Sequence, residues 1–521
     1  MLDDYVSGFG AATLTGDGRL TIEWAEALYE VADGQRTRHK GQRDAVTGKA
    51  FFGFGDTFIA GPAQSAFRGH WWRSGRFLRV TATAGDQPLT IEHVGCVETR
   101  YPIENESAWE SDDTALDAVM PLAVRGLQMC MHETYLDCPY YEQLMYVGDT
   151  RLHMLINHTM SRDDRLVRRG IELFDWSRWR TGFVAERYPG NPFQSSQTYA
   201  MIWPLMVHDY AQWRDDAAWI EQRLPGVRSL LEHLLPLRAD HGLLGRMPGW
   251  SFVDWVTDAH WQQGYPPSAK AGGTSSLINL HLLLTLRAAT DLERWHGEPL
   301  LAQRWQALAD ELANRIVERF WDEEHGLLRD DDAGHLSEHA QCLALLGDAL
   351  PSDKRDRAFD ALIRRDDLSR TTVYFSFYLL ETLARFGRGD LLCQKLAFWK
   401  QLAAQGFKTP AEQPEPSRSD CHAWGSHPLF HAHASLAGIR PDGPGFSGVV
   451  CRPCPGPLRQ LHSTVPHPRG QVRFTMQPLD GGRAKLTLVL PERTPGRLVW
   501  GKDTWELEPG ATRSVAVHLG A

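Results

Sequence analysis

A helical pattern running from about residue 110 to about residue 440, with strand-like sequence before and after it, constrains this chain more than any other feature. Within it Trp305, Leu308, Leu312, Ile316 and Phe320 recur at three- and four-residue steps, the mark of one buried helical face. Residues 227–235, 276–295 and 359–386 carry further apolar-faced helical sequence. The connections are long and rich in Gly, Pro and Trp, as in 182–196 and 247–273. A helix bundle prefers short connections, so paired helices with long loops fit an α/α toroid better.

The flanks read as β, which divides the chain into 1–105, 106–440 and 441–521. In the first block 77–83 and 89–94 alternate as two strands, with Gly85-Asp86 as the turn between them and few strands before residue 50. That block reads as the back half of a larger β-sandwich. In the last, 471–476, 485–490 and 497–500 are short strands with turns at Gly481-Gly482 and Pro495-Gly496, as in a small β-sandwich.

Composition narrows the function classes. The 521 residues carry a net charge of −10 and no basic run, which argues against a nucleic-acid partner. No segment approaches the roughly 18 apolar residues of a membrane span. The start, Met1-Leu2-Asp3-Asp4, lacks a signal peptide's basic and apolar regions, and eight scattered cysteines form no disulfide framework. The expectation is a cytoplasmic protein. Cys451-Arg452-Pro453-Cys454 has the spacing of half a zinc knuckle, but no second pair follows, so neither metal nor cofactor is expected. Nineteen tryptophans suit both core packing and carbohydrate stacking. Trp176, Trp179, Trp203, Trp250 and Trp255, in or near the long loops, are the stacking candidates.

Two segments carry chemistry. Asp137-Cys138-Pro139-Tyr140-Tyr141-Glu142-Gln143-Leu144-Met145-Tyr146-Val147-Gly148-Asp149 holds three carboxylates and three tyrosines. Pro139 puts Asp137 and Cys138 in a turn, where Asp137 is placed to cap the helix that follows. Glu142 is expected at the start of that helix, and Asp149, about two helical turns on, shares its face. The second segment is Thr409 to Trp424. Pro410, Pro414 and Pro416 forbid a helix there, so Glu412 and Glu415 ride on a rigid loop that leads into a helix opened by His422. His427, His431 and His433 read as packing or surface residues.

Asp-Cys-Pro, a Glu seven residues before the Asp of a Gly-Asp pair, and a distant Thr-x-x-Glu followed by a histidine resemble the α-L-rhamnosidases of glycoside hydrolase family 78. The resemblance covers nearly the whole chain, most specifically 137–149, 250–255 and 409–424. It implies an (α/α)6 barrel between β-sandwiches and an inverting hydrolase without cofactor. By position it makes Glu142 the general acid and Glu412 the general base. Asp137 and Asp149 would hold sugar hydroxyls, Asp254 and Trp255 would form a sugar-contacting loop, and His422 would open the helix after the base. Trp203 is a further stacking candidate. The sequence departs at Tyr141, where the family carries Arg, at Met145-Tyr146, where it carries Gly-Trp, and at Ala411, where it carries Trp. Tyr146 thus offers a smaller ring in the stacking place.

The chemistry asks for one protonated carboxyl at the leaving oxygen and one ionised carboxylate on water, with neighbouring Asp137 and Asp149 raising the acid's pKa. The expected substrate is a rhamnose-containing oligosaccharide or glycoside. Another toroid glycosidase, such as an unsaturated-uronide hydrolase, would need a basic pocket residue. A non-catalytic glycan-binding protein would be expected to lack one of the two glutamates.

Overall fold

The computed structural model describes residues 1–180, 182–247, 249–258, 260–270 and 273–519. Parts of the long 247–273 connection thus lie outside the described residues. The chain forms two compact units that interleave in sequence: residues 1–105, 114–144 and 396–429, and residues 106–113, 145–395 and 430–521.

The first unit is built on one five-stranded antiparallel sheet. Its spine, Val6–Ala25, pairs along nearly its whole length with Phe77–Glu98. It also pairs with Phe54–Ala60, Ser65–Arg68 and Arg73–Gly75. Alternate spine residues Ala12, Leu14, Leu20, Ile22 and Trp24 point into a core with Phe58. Each large apolar side chain buried this way contributes about 1.5–3 kcal/mol. Two expectations are corrected here. A long strand precedes residue 50, and Gly85-Asp86 is not a hairpin turn, because 77–83 and 89–94 belong to one strand. The register slips between Gly16 and Gly18, and Asp17 Oδ2 accepts the Asp86 N–H at 2.7 Å. A local side-chain bond therefore absorbs the turn-like residues as a bulge. The helices Val119–Met129 and Ala397–Ala404 also belong to this unit. A Cβ on Gly126 would stand 2.4 Å from Pro410 Cδ, so only glycine lets the first of these helices lie against the proline-rich loop.

The second unit holds most of the helices. Ser196, Ser275 and Ser337 cap Gln197–Trp213, Ser276–His296 and Glu338–Leu346 by accepting backbone N–H groups of their first turns. Ser276–His296 packs on Gln197–Trp213 and on Pro299–Phe320. In the latter Trp305, Leu312, Ile316 and Phe320 are fully buried, as the periodicity requires, while Leu308 lies at the edge of the stripe. The helical sequence of 359–386 is broken into Ser352–Arg364 and Ser376–Arg385. The intervening loop delivers Thr372 to the site described below. Besides the short pair Trp321–Asp322 and Leu327–Leu328, the unit holds two larger sheets. Ile439–Asp442, Gly448–Cys451, Gly496–Trp500 and Asp503–Leu507 form one. Thr512–His518, Arg483–Val489, Gly470–Leu479, Leu461–His467 and Ala108–Ser111 form the other, so a strand preceding the helices completes a sheet whose other strands follow them. Among the described residues no helix is long and apolar enough to cross a membrane.

Candidate active site

Glu142 is not on a helix. The helix carrying Asp149 begins at Val147, and 137–146 is a looped turn closed on itself. The Asp137 N–H donates to the Leu144 carbonyl at 2.7 Å, and Asp137 Oδ1 accepts the Leu144 N–H at 3.0 Å. Gln143 sits at φ +57°, which breaks any helical path between Glu142 and Asp149. The expectation that these two carboxylates share a helical face is therefore corrected, as is the helix-cap role of Asp137, whose carboxylate closes the turn instead. Tyr140 anchors the turn by donating to the Trp24 carbonyl at 3.1 Å and packing on Phe54 at 4.7 Å. Glu142 is left partly exposed at the tip.

The loop bearing Glu412 meets that tip within the same unit. Arg418 Nη2 lies 2.7 Å from Glu142 Oε1 and 3.3 Å from Glu412 Oε1, and its Nε lies 3.2 Å from Glu412 Oε2. One guanidinium thus bridges both carboxylates. The two glutamate oxygens that Nη2 touches stand no more than about 6 Å apart, with the guanidinium between them. Burial works against the Arg418 charge, but Glu412 and Glu142 hold its pKa above the ordinary arginine value. Its guanidinium also lies 5.3 Å from the centre of the Tyr141 ring. Glu415 is ion-paired with Arg43.

Prolines alone do not fix this loop. Asp420 behind it is buried and accepts from Lys40 Nζ at 2.8 Å, Arg43 Nε at 2.8 Å and Arg43 Nη2 at 3.1 Å. Lys40 Nζ also donates to the Arg418 carbonyl at 2.9 Å. The Asp420 N–H donates to Glu26 Oε2 at 3.1 Å, and Tyr5 donates to Glu26 Oε1 at 2.7 Å. Burial pushes the Glu26 carboxyl up to about 7 against the pull of Lys40. Cross-links Glu412 N–H to Ser419 O at 3.0 Å and His422 N–H to Pro410 O at 3.0 Å close the loop. His422 is buried against Trp424, whose indole N–H donates to the Glu412 carbonyl at 3.2 Å. His422 opens a 3₁₀ turn, Ala423–Ser426, rather than a regular helix.

Asp137, Cys138 and His422 present ligand-type atoms within 4.8 Å of one another. Asp137 Oδ2 already lies 3.2 Å from the Cys138 thiol, and burial pushes that thiol's pKa well up, which disfavours the thiolate a metal would need. Cys451 and Cys454 are buried, and the Cys451 thiol lies 3.4 Å from the Ala437 carbonyl.

The second unit carries the other expected residues. Tyr146, just before the helix, bridges to Arg187, whose Nη1 donates to the Tyr146 hydroxyl at 3.3 Å. Asp149 is buried in the first turn. A Cβ on Gly148 would meet the Tyr199 ring at 2.5 Å and the Tyr374 hydroxyl at 2.7 Å, so glycine lets those rings close on the helix start. Burial pushes the Tyr199 phenol up, with Tyr374, Asp149 and Glu186 adding to the shift.

Asp254 is wholly buried and saturated. It accepts from His339 Nε2 at 2.8 Å, the Thr372 N–H at 2.8 Å, the Thr372 hydroxyl and the Trp255 N–H at 3.0 Å. What it holds in place is Trp255, 37% exposed and packed 5.2 Å from Phe252 and 5.9 Å from Trp250. Trp203, by contrast, has no exposed face. Its ring is fully buried, its indole N–H donates to Ile171 O at 3.0 Å, and Arg178 lies over it at 4.5 Å, so it is core and cannot stack a sugar. Trp176 and Trp179 are exposed, the latter against Phe193.

Sequence reasoning missed five charged residues. Arg418 lay inside the quoted loop and could have been weighed. Asp420 lay in the same segment, whereas Lys40 and Arg43 carried no local signal. Glu186 is fully buried with no hydrogen-bond partner on either oxygen among the described residues, and burial pushes its carboxyl up to about 7 against the pull of Arg187. Its backbone pairs with the motif, accepting the Val147 N–H at 2.9 Å.

No curated protein matches the sequence. A crystal structure of the GH78 family rhamnosidase of Bacillus sp. GL1 is similar at TM-score 0.84 and 22% identity, over 96% of this chain and 52% of that one. A Streptomyces avermitilis α-L-rhamnosidase complexed with L-rhamnose gives 0.78 and 18%, over 99% and 51%. A rhamnosidase from Klebsiella oxytoca with rhamnose bound gives 0.68 and 18%, over 82% and 85%. The chain thus spans about half the length of the first two, and at these identities the likeness is one of fold. The bacterial alpha-L-rhamnosidase 6 hairpin glycosidase domain matches residues 104–433, and the bacterial alpha-L-rhamnosidase C-terminal domain matches 438–512. With well over half of its length accounted for in this way, the chain belongs to the bacterial α-L-rhamnosidase six-hairpin glycosidase family.

Proposed function

We propose that this protein hydrolyses terminal α-L-rhamnosides with inversion, Glu142 acting as general acid and Glu412 as general base. The observation that carries the reading is the pairing of these two carboxylates, from distant parts of the chain, on one guanidinium. Glu412 is preferred to Glu415 because it shares its arginine with Glu142, whereas Glu415 is paired with the buried Arg43. In the reaction the Glu142 proton passes to the glycosidic oxygen as its bond to the anomeric carbon breaks. Water bonds to that carbon from the opposite face and gives its proton to Glu412. Asp137, Asp149 and Tyr146 are assigned to the sugar, and Trp255 to stacking on its apolar face. Asp254 acts through Trp255, since protein donors already fill its carboxylate. The rhamnose in two of the similar structures supports the choice of sugar. An unsaturated uronide remains second, because the charge on Arg418 is already matched by two glutamates.

Proton NMR of an aryl α-L-rhamnoside in the first minutes of hydrolysis tests the reading. The inverted anomer should appear before mutarotation. A retained anomer would make the second carboxylate a nucleophile, and no hydrolysis would remove the substrate assignment.

A further inference from the structure

We propose that Arg418 is a displaceable positioning residue: its guanidinium bridges Glu142 and Glu412 in the free protein, and the incoming sugar expels it. Water and the glycosidic oxygen then take the places that its nitrogens hold. The inference rests on the acid and base roles proposed above.

Three observations converge on it. The guanidinium stands between the two carboxylates, so the water and glycosidic oxygen that an inverting reaction places there have no room while it stays. The transition state carries positive charge at the anomeric carbon, and a fixed cation there would oppose it. The Arg418 side chain is 45% exposed, so it can leave, whereas its backbone is pinned by Lys40. Tyr141 offers its ring as a place to rest, already 5.3 Å from the guanidinium.

The exchange has a chemical consequence. The guanidinium 2.7 Å from Glu142 favours its ionised form, which cannot donate a proton. Expelling Arg418 removes that stabilisation, and Glu142 takes up a proton from solvent as substrate settles. The other charged groups nearby keep their own partners: Asp137 with Cys138, Arg43 with Glu415, and Lys40 with Asp420.

The test is a pair of pH profiles on an aryl α-L-rhamnoside, for the parent and for Arg418→Met and Arg418→Lys. The profile of kcat/KM reports the free enzyme and that of kcat the bound complex. In the parent the alkaline limb of kcat/KM should lie at least one pH unit below that of kcat. In Arg418→Met it should rise to meet the kcat limb, which itself stays in place, and Arg418→Lys should fall between. Coincident limbs in the parent would overturn the proposal. So would a loss of kcat beyond 100-fold in Arg418→Met with unmoved limbs, which would make the guanidinium part of the transition state. Should the variants fail to fold, a crystal structure of the parent with L-rhamnose decides alone: Arg418 swung off both glutamates supports the proposal, and an intact bridge sinks it. A parent that neither binds nor cleaves the rhamnoside defeats the assigned function instead.

Discussion

The loop 409–422 and the loop around Asp254 each fix a functional side chain, and they do so with opposite chemistry. The first is held by charge: Asp420 sits between Lys40 and Arg43, and Glu142 and Glu412 share Arg418. The second is held by largely neutral donors, Thr372, the Trp255 N–H and a histidine, within a wall of aromatic rings. An exposed cation can be exchanged for substrate, whereas a saturated, dry carboxylate can only hold its neighbours still. On the proposed roles, the contrast separates groups that do chemistry from groups that aim them.

Three experiments break or sharpen that contrast. The largest effect belongs to Glu412→Gln, which should lower kcat by about 10²–10⁴-fold while leaving the fold intact. A loss under about tenfold would shift the base elsewhere, with Glu415→Gln as the next variant to assay.

Next come the two anchors. Asp420→Ala leaves Lys40 and Arg43 buried without the carboxylate they share, Arg43 keeping only Glu415, and should destabilise the protein by about 3–5 kcal/mol. Asp254→Ala leaves donors that are mostly neutral and should cost less, roughly 2–3 kcal/mol. Urea unfolding measures both, and the reverse order would remove the distinction between the two loops.

The smallest effect is a pH dependence. Glu26 and Glu186 both have folded pKa values raised from 4.5 to about 7, so the folded state holds protons that the unfolded state has released. Stability from these groups is full below about pH 4.5 and falls as pH rises towards 7. Glu186→Gln should flatten part of that decline and be more stable than the parent at pH 8 by roughly 1–3 kcal/mol. Unchanged melting temperatures across pH 5–8 in parent and variant would mean that Glu186 has a partner after all.

Much of this was legible in the sequence. The stripe from Trp305 to Phe320, the C-terminal strands and the 137–149 and 409–424 segments announce themselves through periodicity, turn residues and clustered acids, all local signals. The misplaced features share one cause. Gly85-Asp86 reads as a turn until Asp17, far away in sequence, binds its backbone. Glu142 reads as helical until Asp137 closes the turn and Gln143 reverses the chain. Trp203 reads as a stacking ring until Arg178 and Ile171 cover it.

The sequence by itself determined the order of β and helical regions, the family, and which carboxylates were worth weighing, because periodicity and motif spacing are properties of neighbouring residues. Only the tertiary structure decided that Glu142 and Glu412 meet on Arg418, that Asp254 serves Trp255, and that Glu186 lies buried without a hydrogen-bond partner among the described residues. Those facts depend on the distances and desolvation that folding imposes on residues from distant segments, and no local pattern encodes them.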